Sequence, residues 1–186
     1  PQFLTTHGFA VLTVDTYTPR NLNVGGMGAM KQMLQAKDAY GALDYLAGRA
    51  DVDPARIGVM GFSNGGLAIG ERIMKAKPRK PDQRNFAAAV SVYGRCLGLD
   101  AGDRDYLPLF LVIAENDSLL KPSCLQAVEK DGFEGAVIKG AFHAFDIEKS
   151  GIAGVDPYGN RMMYSGAATK EARELALAFL DKHLKK

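Results

Sequence analysis

The stretch "IGVMGFSNGGLAIG", residues 57–70, sets Ser63 inside Gly61-Phe62-Ser63-Asn64-Gly65-Gly66, between an apolar run of strand type and an apolar run of helical type. A serine on so sharp a corner has a chemical use. In a Gly-x-Ser-x-Gly turn the serine takes a strained backbone conformation that lifts its hydroxyl clear of the sheet, the nucleophile elbow. Side chains at 61 and 65 are expected to collide where strand and helix approach, and Gly66 is expected to let the helix pack tightly on the sheet. The backbone N–H of Asn64, at the helix N-terminus, would point toward an anion formed beside the serine. A phosphate loop or plain turn is the alternative, but no Gly-Lys-Ser/Thr follows and the spacing does not match Gly-x-Gly-x-x-Gly.

A serine hydroxyl is a weak nucleophile and needs a base, which in turn needs an orienting group. The chain has only three histidines, so elimination works. His7 falls in a helix-end turn, and His183 on the last helix beside Lys182 and Lys185, both most simply surface residues. His143 stands in "KGAFHAFD", directly after the last strand, where a loop can swing an imidazole over the sheet edge. For the acid, "LFLVIAENDSLL" puts Asp117 just past a strand end. Glu115, two residues earlier, is the competitor, closer to the strand end and suited to hydrogen bonding there. Asp146 reads as a local turn former or solvated carboxylate.

These groups need a scaffold. Strand-type runs are expected at 9–15 ("FAVLTVD"), 57–61, 86–94, 107–115 and 133–140. Helices are expected at 28–49, with Met30, Met33, Leu34, Ala42, Leu43 and Leu46 at helical spacing, at 65–76 ending before Pro78, near 122–131 with Pro122 at its start, and at 168–184 with Ala172, Leu175, Ala176, Phe179 and Leu180 on one face. Continuous apolar strands alternating with helices imply an α/β fold, a mostly parallel sheet covered on both faces. No repeat or linker composition divides the chain, so residues 1–186 are read as one domain. In such a sheet ligands bind where loops converge at the carboxyl ends of the strands, the rim that carries Ser63, Asp117 and His143.

Composition narrows the partners. The 186 residues, 47% hydrophobic and 24% charged, suit one soluble domain, and a net charge of +2 with interspersed signs offers no stripe for nucleic acid. No segment is long enough to cross a membrane. Cys96 and Cys124 lack metal-ligand spacing and are expected to be two reduced structural thiols, as in the cytoplasm. "PQFLTTHGF" reads as the end of a helix closing at Gly8, and with Pro1 in place of methionine the sequence is expected to be a piece of a longer chain.

With "GFAVLTVDTY", "DPARIGVMGFSNGG", "LFLVIAENDSLLKP" and "GAFHAFD" followed by an alanine-rich terminal helix, nearly the whole chain resembles the dienelactone hydrolase family of α/β-hydrolases. The chain order Ser63, Asp117, His143 is the order of that fold. The resemblance implies hydrolysis of carboxylic esters or lactones of small substrates by these three residues, without metal or organic cofactor. It also implies no large cap domain, in keeping with the short connection between the third and fourth strand-type runs.

The sequence departs from the family in three places. Ser63 stands where the founding members have cysteine, which favours general ester hydrolysis. Their carboxylate-binding arginines are not matched in register: Arg20 in "DTYTPR" is close to one, and none follows His143 until Arg161. Tyr17 and Arg20 are carried forward as candidate pocket residues for a substrate carboxylate, a solvated loop being the alternative. Nothing corresponds to the family's opening strands, so the domain is expected to lack them and to need a second oxyanion N–H from upstream. A catalytically silent domain that binds a small molecule or partner, and an acyltransferase using the same three residues, are the alternative functions. Oligomeric state is left open.

Overall fold

A computed structural model describes residues 1–22, 30–76, 84–117, 121–148, 154–155 and 161–185. Four strands, β1 (Gly58–Phe62), β2 (Ala88–Val92), β3 (Leu109–Ala114) and β4 (Glu134–Ile138), form one sheet in sequential order, every neighbouring pair parallel. Helices α1 (Gln2–Thr6), α2 (Met30–Ala47), α3 (Asn64–Ala68), α4 (Lys121–Glu129) and α5 (Gly166–Leu184) surround it, and β5 (Gly154–Val155) pairs antiparallel with β6 (Arg161–Met162) beside it. The residues expected for the first two positions of α2, 28–29, and Pro78 lie outside the described residues.

Strand alternation builds a core on each face. Ala89 with Leu109, Leu111 and Ile113 packs against Ala36, Tyr40, Leu43 and Ala47 of α2 and Ala127 of α4. Ala88, Val90 and Val92 with Phe110, Val112 and Ala114 face Ala172, Ala176, Phe179 and Leu180 of α5. Neither face is left to water, which is why β2 and β3 are apolar at nearly every position. The α5 face is the one read from the sequence. On α2 the expected Leu43 is buried and Leu46 packs against the core, whereas Met30 and Met33 are 54% and 43% exposed and Ala36, Tyr40 and Ala47 complete the buried stripe.

Three further expectations are corrected. Residues 9–15 form no strand and pair with none among the described residues, and Val11, Leu12 and Val14 stay 37–44% exposed. β-propensity makes an extended segment, whereas a strand also needs a neighbour to complete the ladder. The helix after Ser63 changes at Ile69 into a π turn over Ile69–Ile73, its widened turn closed by Met74 N–H donating to Ile69 O at 2.9 Å.

Cys96 and Cys124 are not free thiols but a disulfide. One follows β2 and the other lies on the helix after β3; because these strands are parallel neighbours, their exits lie side by side and the Cα atoms stand 4.9 Å apart. The pairing withdraws the ground for expecting a reducing compartment. Among the described residues no helix is long and apolar enough to cross a membrane.

The bridge spans a sequence separation of 28 residues. Loop-closure entropy assigns such a bridge about 3.6 kcal/mol of stability. Denaturant unfolding with and without dithiothreitol is expected to differ by about that amount, with no difference in a Cys96→Ser/Cys124→Ser variant.

Candidate active site

β1 ends at Phe62 and the chain turns at once into α3. Ser63, the cap between them, has φ 49° and ψ −114°, a backbone conformation that residues with a side chain seldom adopt. It is held there by its N–H donating to Val92 O at 3.0 Å and its carbonyl accepting from Leu67 N–H at 2.9 Å. The glycines explain how the corner closes. A Cβ on Gly61 would stand 2.4 Å from the backbone of Gly65, and one on Gly66 would stand 2.7 Å from Ser91 Oγ and 2.8 Å from Gly94 Cα. Gly65 differs from expectation: a Cβ there meets nothing within 4 Å. The corner is closed by the backbone of Gly65 pressing on Gly61, not by a collision at Gly65 itself.

Asn64 opens α3, so its N–H is one of those with no acceptor inside the helix. Its side-chain Oδ1 accepts from Gln32 Nε2 on α2 at 3.4 Å. Gln32 escaped the sequence reading, since nothing in the periodicity of α2 relates it to Asn64.

The structure brings Ser63, His143 and Asp117 together. His143 Nδ1 lies 2.7 Å from Asp117 Oδ2, and His143 Nε2 lies 3.0 Å from Ser63 Oγ. Asp117 and His143 are 1% and 5% exposed. With the carboxylate as acceptor, Nδ1 carries the proton, and in the neutral ring Nε2 is then free to accept the Ser63 hydroxyl proton. The loops that deliver Asp117 and His143 are stitched to each other. Asn116 N–H donates to Ala141 O at 2.8 Å, and Gly140 N–H donates to Glu115 Oε2 at 2.8 Å. Glu115 thus holds the turn that launches the histidine loop and stands outside the hydrogen-bonded chain.

The remaining candidates lie elsewhere. His7 Nδ1 is 2.7 Å from Phe3 O in α1, and the His183 ring packs on Phe179 in α5. Arg20 forms a fork with Asp38 at 2.7 and 2.8 Å and donates to Thr16 O at 2.7 Å. It borders a groove with Leu12, Val14, Asp38 and Tyr45, and none of Ser63, Asp117 or His143 lines that groove. Arg20 holds the Asp38 carboxyl below the usual range. Tyr17 precedes the same 3-10 turn (Thr18–Arg20), and partial burial pushes its phenol up. The structure does not bring Tyr17 or Arg20 into contact with the serine and histidine.

Asp146 is not a solvated carboxylate. It accepts from Tyr93 Oη at 2.5 Å. Tyr93, also missed, is buried with its ring edge-on to His143, the centroids 4.9 Å apart. Burial first, then the Asp146 charge, pushes its phenol well above the ordinary tyrosine range. One signal was present: Tyr93 follows a buried strand at the rim that carries the other groups. Among the described residues no cluster of three or more His, Cys, Asp or Glu could hold a metal ion.

A parallel sheet with helices on both faces and this rim define an α/β-hydrolase fold. The dienelactone hydrolase family profile matches residues 2–184, and the chain belongs to that family. Solved structures agree at the level of fold. The dienelactone hydrolase-like promiscuous phosphotriesterase from metagenomic libraries is 19% identical with a TM-score of 0.62, over 87% of this chain and 69% of that one. The ferulic acid esterase from Streptomyces cinnamoneus is 22% identical with a TM-score of 0.59, over 88% of this chain and 51% of that one. A thermophilic esterase from Thermogutta terrifontis is 20% identical with a TM-score of 0.53, over 82% of this chain and 64% of that one. The chain therefore spans between about half and about two thirds of the length of these proteins. No curated protein is a significant match.

Two outcomes follow from the corner and the ion pair. Gly61→Ala is expected to destabilise the fold by about 3 kcal/mol or more, because backbone atoms cannot yield as a flexible side chain can. Gly65→Ala is expected to be neutral or stabilising by up to about 1 kcal/mol, as an alanine in a helix; thermal unfolding of both checks this. The depressed Asp38 contributes stability that is present above the unfolded aspartate value of about 4 and is lost as pH falls through the lower folded value. The gap between wild type and Asp38→Asn, up to about 1 kcal/mol at neutral pH for so exposed a pair, is expected to close below pH 4 in denaturant titrations.

Proposed function

We propose that this protein hydrolyses carboxylic esters or lactones of small substrates through an acyl-enzyme on Ser63. The observation that carries the proposal is the unbroken hydrogen-bonded chain from Ser63 Oγ through the His143 ring to Asp117, at 3.0 and 2.7 Å, ending on a serine held in a strained backbone conformation. Membership of a hydrolase family supports it, as does the presence of esterases among the structural relatives.

In this mechanism His143 Nε2 takes the Ser63 proton as the hydroxyl attacks the ester carbonyl. Asp117 holds the ring by Nδ1–H and stabilises the imidazolium that forms. Negative charge builds on the carbonyl oxygen, and the Asn64 N–H supplies one donor to it. The imidazolium returns its proton to the departing alcohol, and water deprotonated by His143 then attacks the acyl-enzyme and releases the acid. Tyr17 and Arg20 are proposed as substrate-binding residues only for a ligand long enough to reach the groove that Arg20 borders, where Arg20 must first exchange Asp38 for a substrate carboxylate.

A fluorophosphonate probe tests the reading. Wild type is expected to gain one adduct on Ser63 by mass spectrometry and to hydrolyse p-nitrophenyl acetate, while Ser63→Ala does neither. Asp117→Asn is expected to lower kcat by about a thousand- to ten-thousand-fold, since it removes the group that fixes the ring tautomer. Folded wild-type protein that gains no adduct would refute the esterase reading and leave a silent binding domain. Adduct formation with acyl product on an added alcohol, and none on water, would identify an acyltransferase instead.

A further inference from the structure

The geometry points to Tyr93 and Asp146 as a positioning pair that sets the height of the His143 ring over Ser63, an inference that rests on the esterase reading for its kinetic consequence. Tyr93 is anchored at both ends. Its backbone continues β2, with its N–H donating to Val112 O at 2.8 Å, and it carries φ 37° without being glycine. The next residue, Gly94, presses on the helix that Ser63 opens: a Cβ there would stand 2.7 Å from Gly66 C. The main chain of Tyr93 is thereby locked against the serine corner.

Its side chain reaches the opposite partner. The phenol donates to Asp146 Oδ1 at 2.5 Å, three residues beyond His143, and the ring sits edge-on to both His143 and Phe145, at centroid distances of 4.9 and 5.4 Å. Between His143 and Asp146 the chain turns at Ala144, which has φ 55°. The far side of this turn is tied to α5, where Phe145 O accepts from Ser165 N–H and Thr169 Oγ1. Those bonds fix the turn to the helix behind it. The Tyr93–Asp146 bond joins it to the strand that borders Ser63, so this bond sets the separation of Oγ and Nε2. A hydrogen bond buried beside an aromatic cluster holds such a distance firmly, and small displacements of reacting groups cost large factors in rate.

The test compares Tyr93→Phe, Asp146→Ala, the double variant and Asp146→Asn, which keeps an acceptor oxygen at the same place. With p-nitrophenyl acetate, Tyr93→Phe and Asp146→Ala are each expected to lower kcat about 10- to 100-fold with KM within about twofold. The double variant is expected to be no worse than either single one, and Asp146→Asn to recover most of the loss. Melting temperatures are expected to fall by no more than about 5 °C. The His143 Nδ1–H proton resonance, which needs no substrate, is expected to broaden or shift in Tyr93→Phe and to stay in place in Asp146→Asn. An unchanged resonance together with unchanged kcat in Tyr93→Phe would overturn the positioning role, as would fully additive effects. If wild type proves inactive, the esterase reading fails alone, and the proton resonance still decides whether this pair holds the imidazole.

Discussion

The two hydrogen bonds to the His143 ring constrain the rest of the molecule. They require a hydroxyl from the end of β1, a carboxylate from the end of β3 and an imidazole from the end of β4 to meet within 3.0 Å contacts. Parallel strands make this possible, because all their carboxyl ends open on one rim. Neighbouring strands lie roughly 5 Å apart in a sheet. The residues must therefore lean toward one another from strands that are not all adjacent, and the loops that carry them must be held.

Each loop is held by a different device. The serine corner is closed by backbone contact between Gly61 and Gly65 and by the approach of Gly66 to Gly94. The loops of Asp117 and His143 share the hydrogen bonds of Glu115 to Gly140 and Asn116 to Ala141. The exit of β2 supplies no member of the hydrogen-bonded chain, yet it touches every neighbour. Gly94 lies against α3, Cys96 is bonded to Cys124 on the helix after Asp117, and Tyr93 reaches the turn after His143. That exit acts as the keystone between the elements that carry Ser63, Asp117 and His143.

Legibility in the sequence followed the range of each interaction. The elements at β1 to β4 and the α5 face could be read because apolar periodicity is local. Ser63, Asp117 and His143 could be singled out because chemistry restricts residue types and only three histidines compete. The Cys96–Cys124 bond and the Tyr93–Asp146 contact could not, since both depend on which strand exits become neighbours, and separations of 28 and 53 residues do not encode that. Residues 9–15 illustrate the converse: their composition is that of a strand, but a ladder is a property of two segments. Gly65 failed for a subtler reason. A glycine in a tight corner suggests a crowded Cβ, and here the crowding falls on its carbonyl.

Backbone strain gives a separate argument for where the chemistry lies. Four residues other than glycine have positive φ among the described residues: Asn21, Ser63, Tyr93 and Ala144. Asparagine tolerates that region, whereas each of the other three costs on the order of 1–3 kcal/mol unless its surroundings compel it. All three lie on the rim, one at the hydroxyl, one beside the imidazole and one in the turn that carries it. A chain selected only for stability would place glycine at such positions, as it does at Gly98, Gly132 and Gly140. At 63 the hydroxyl meets the His143 ring and at 93 the phenol bonds to Asp146, so side chains are kept where the backbone would favour none. Ser63 and Tyr93, whose side chains bond to His143 and Asp146 on that rim, are thus held against the local preference of their backbone.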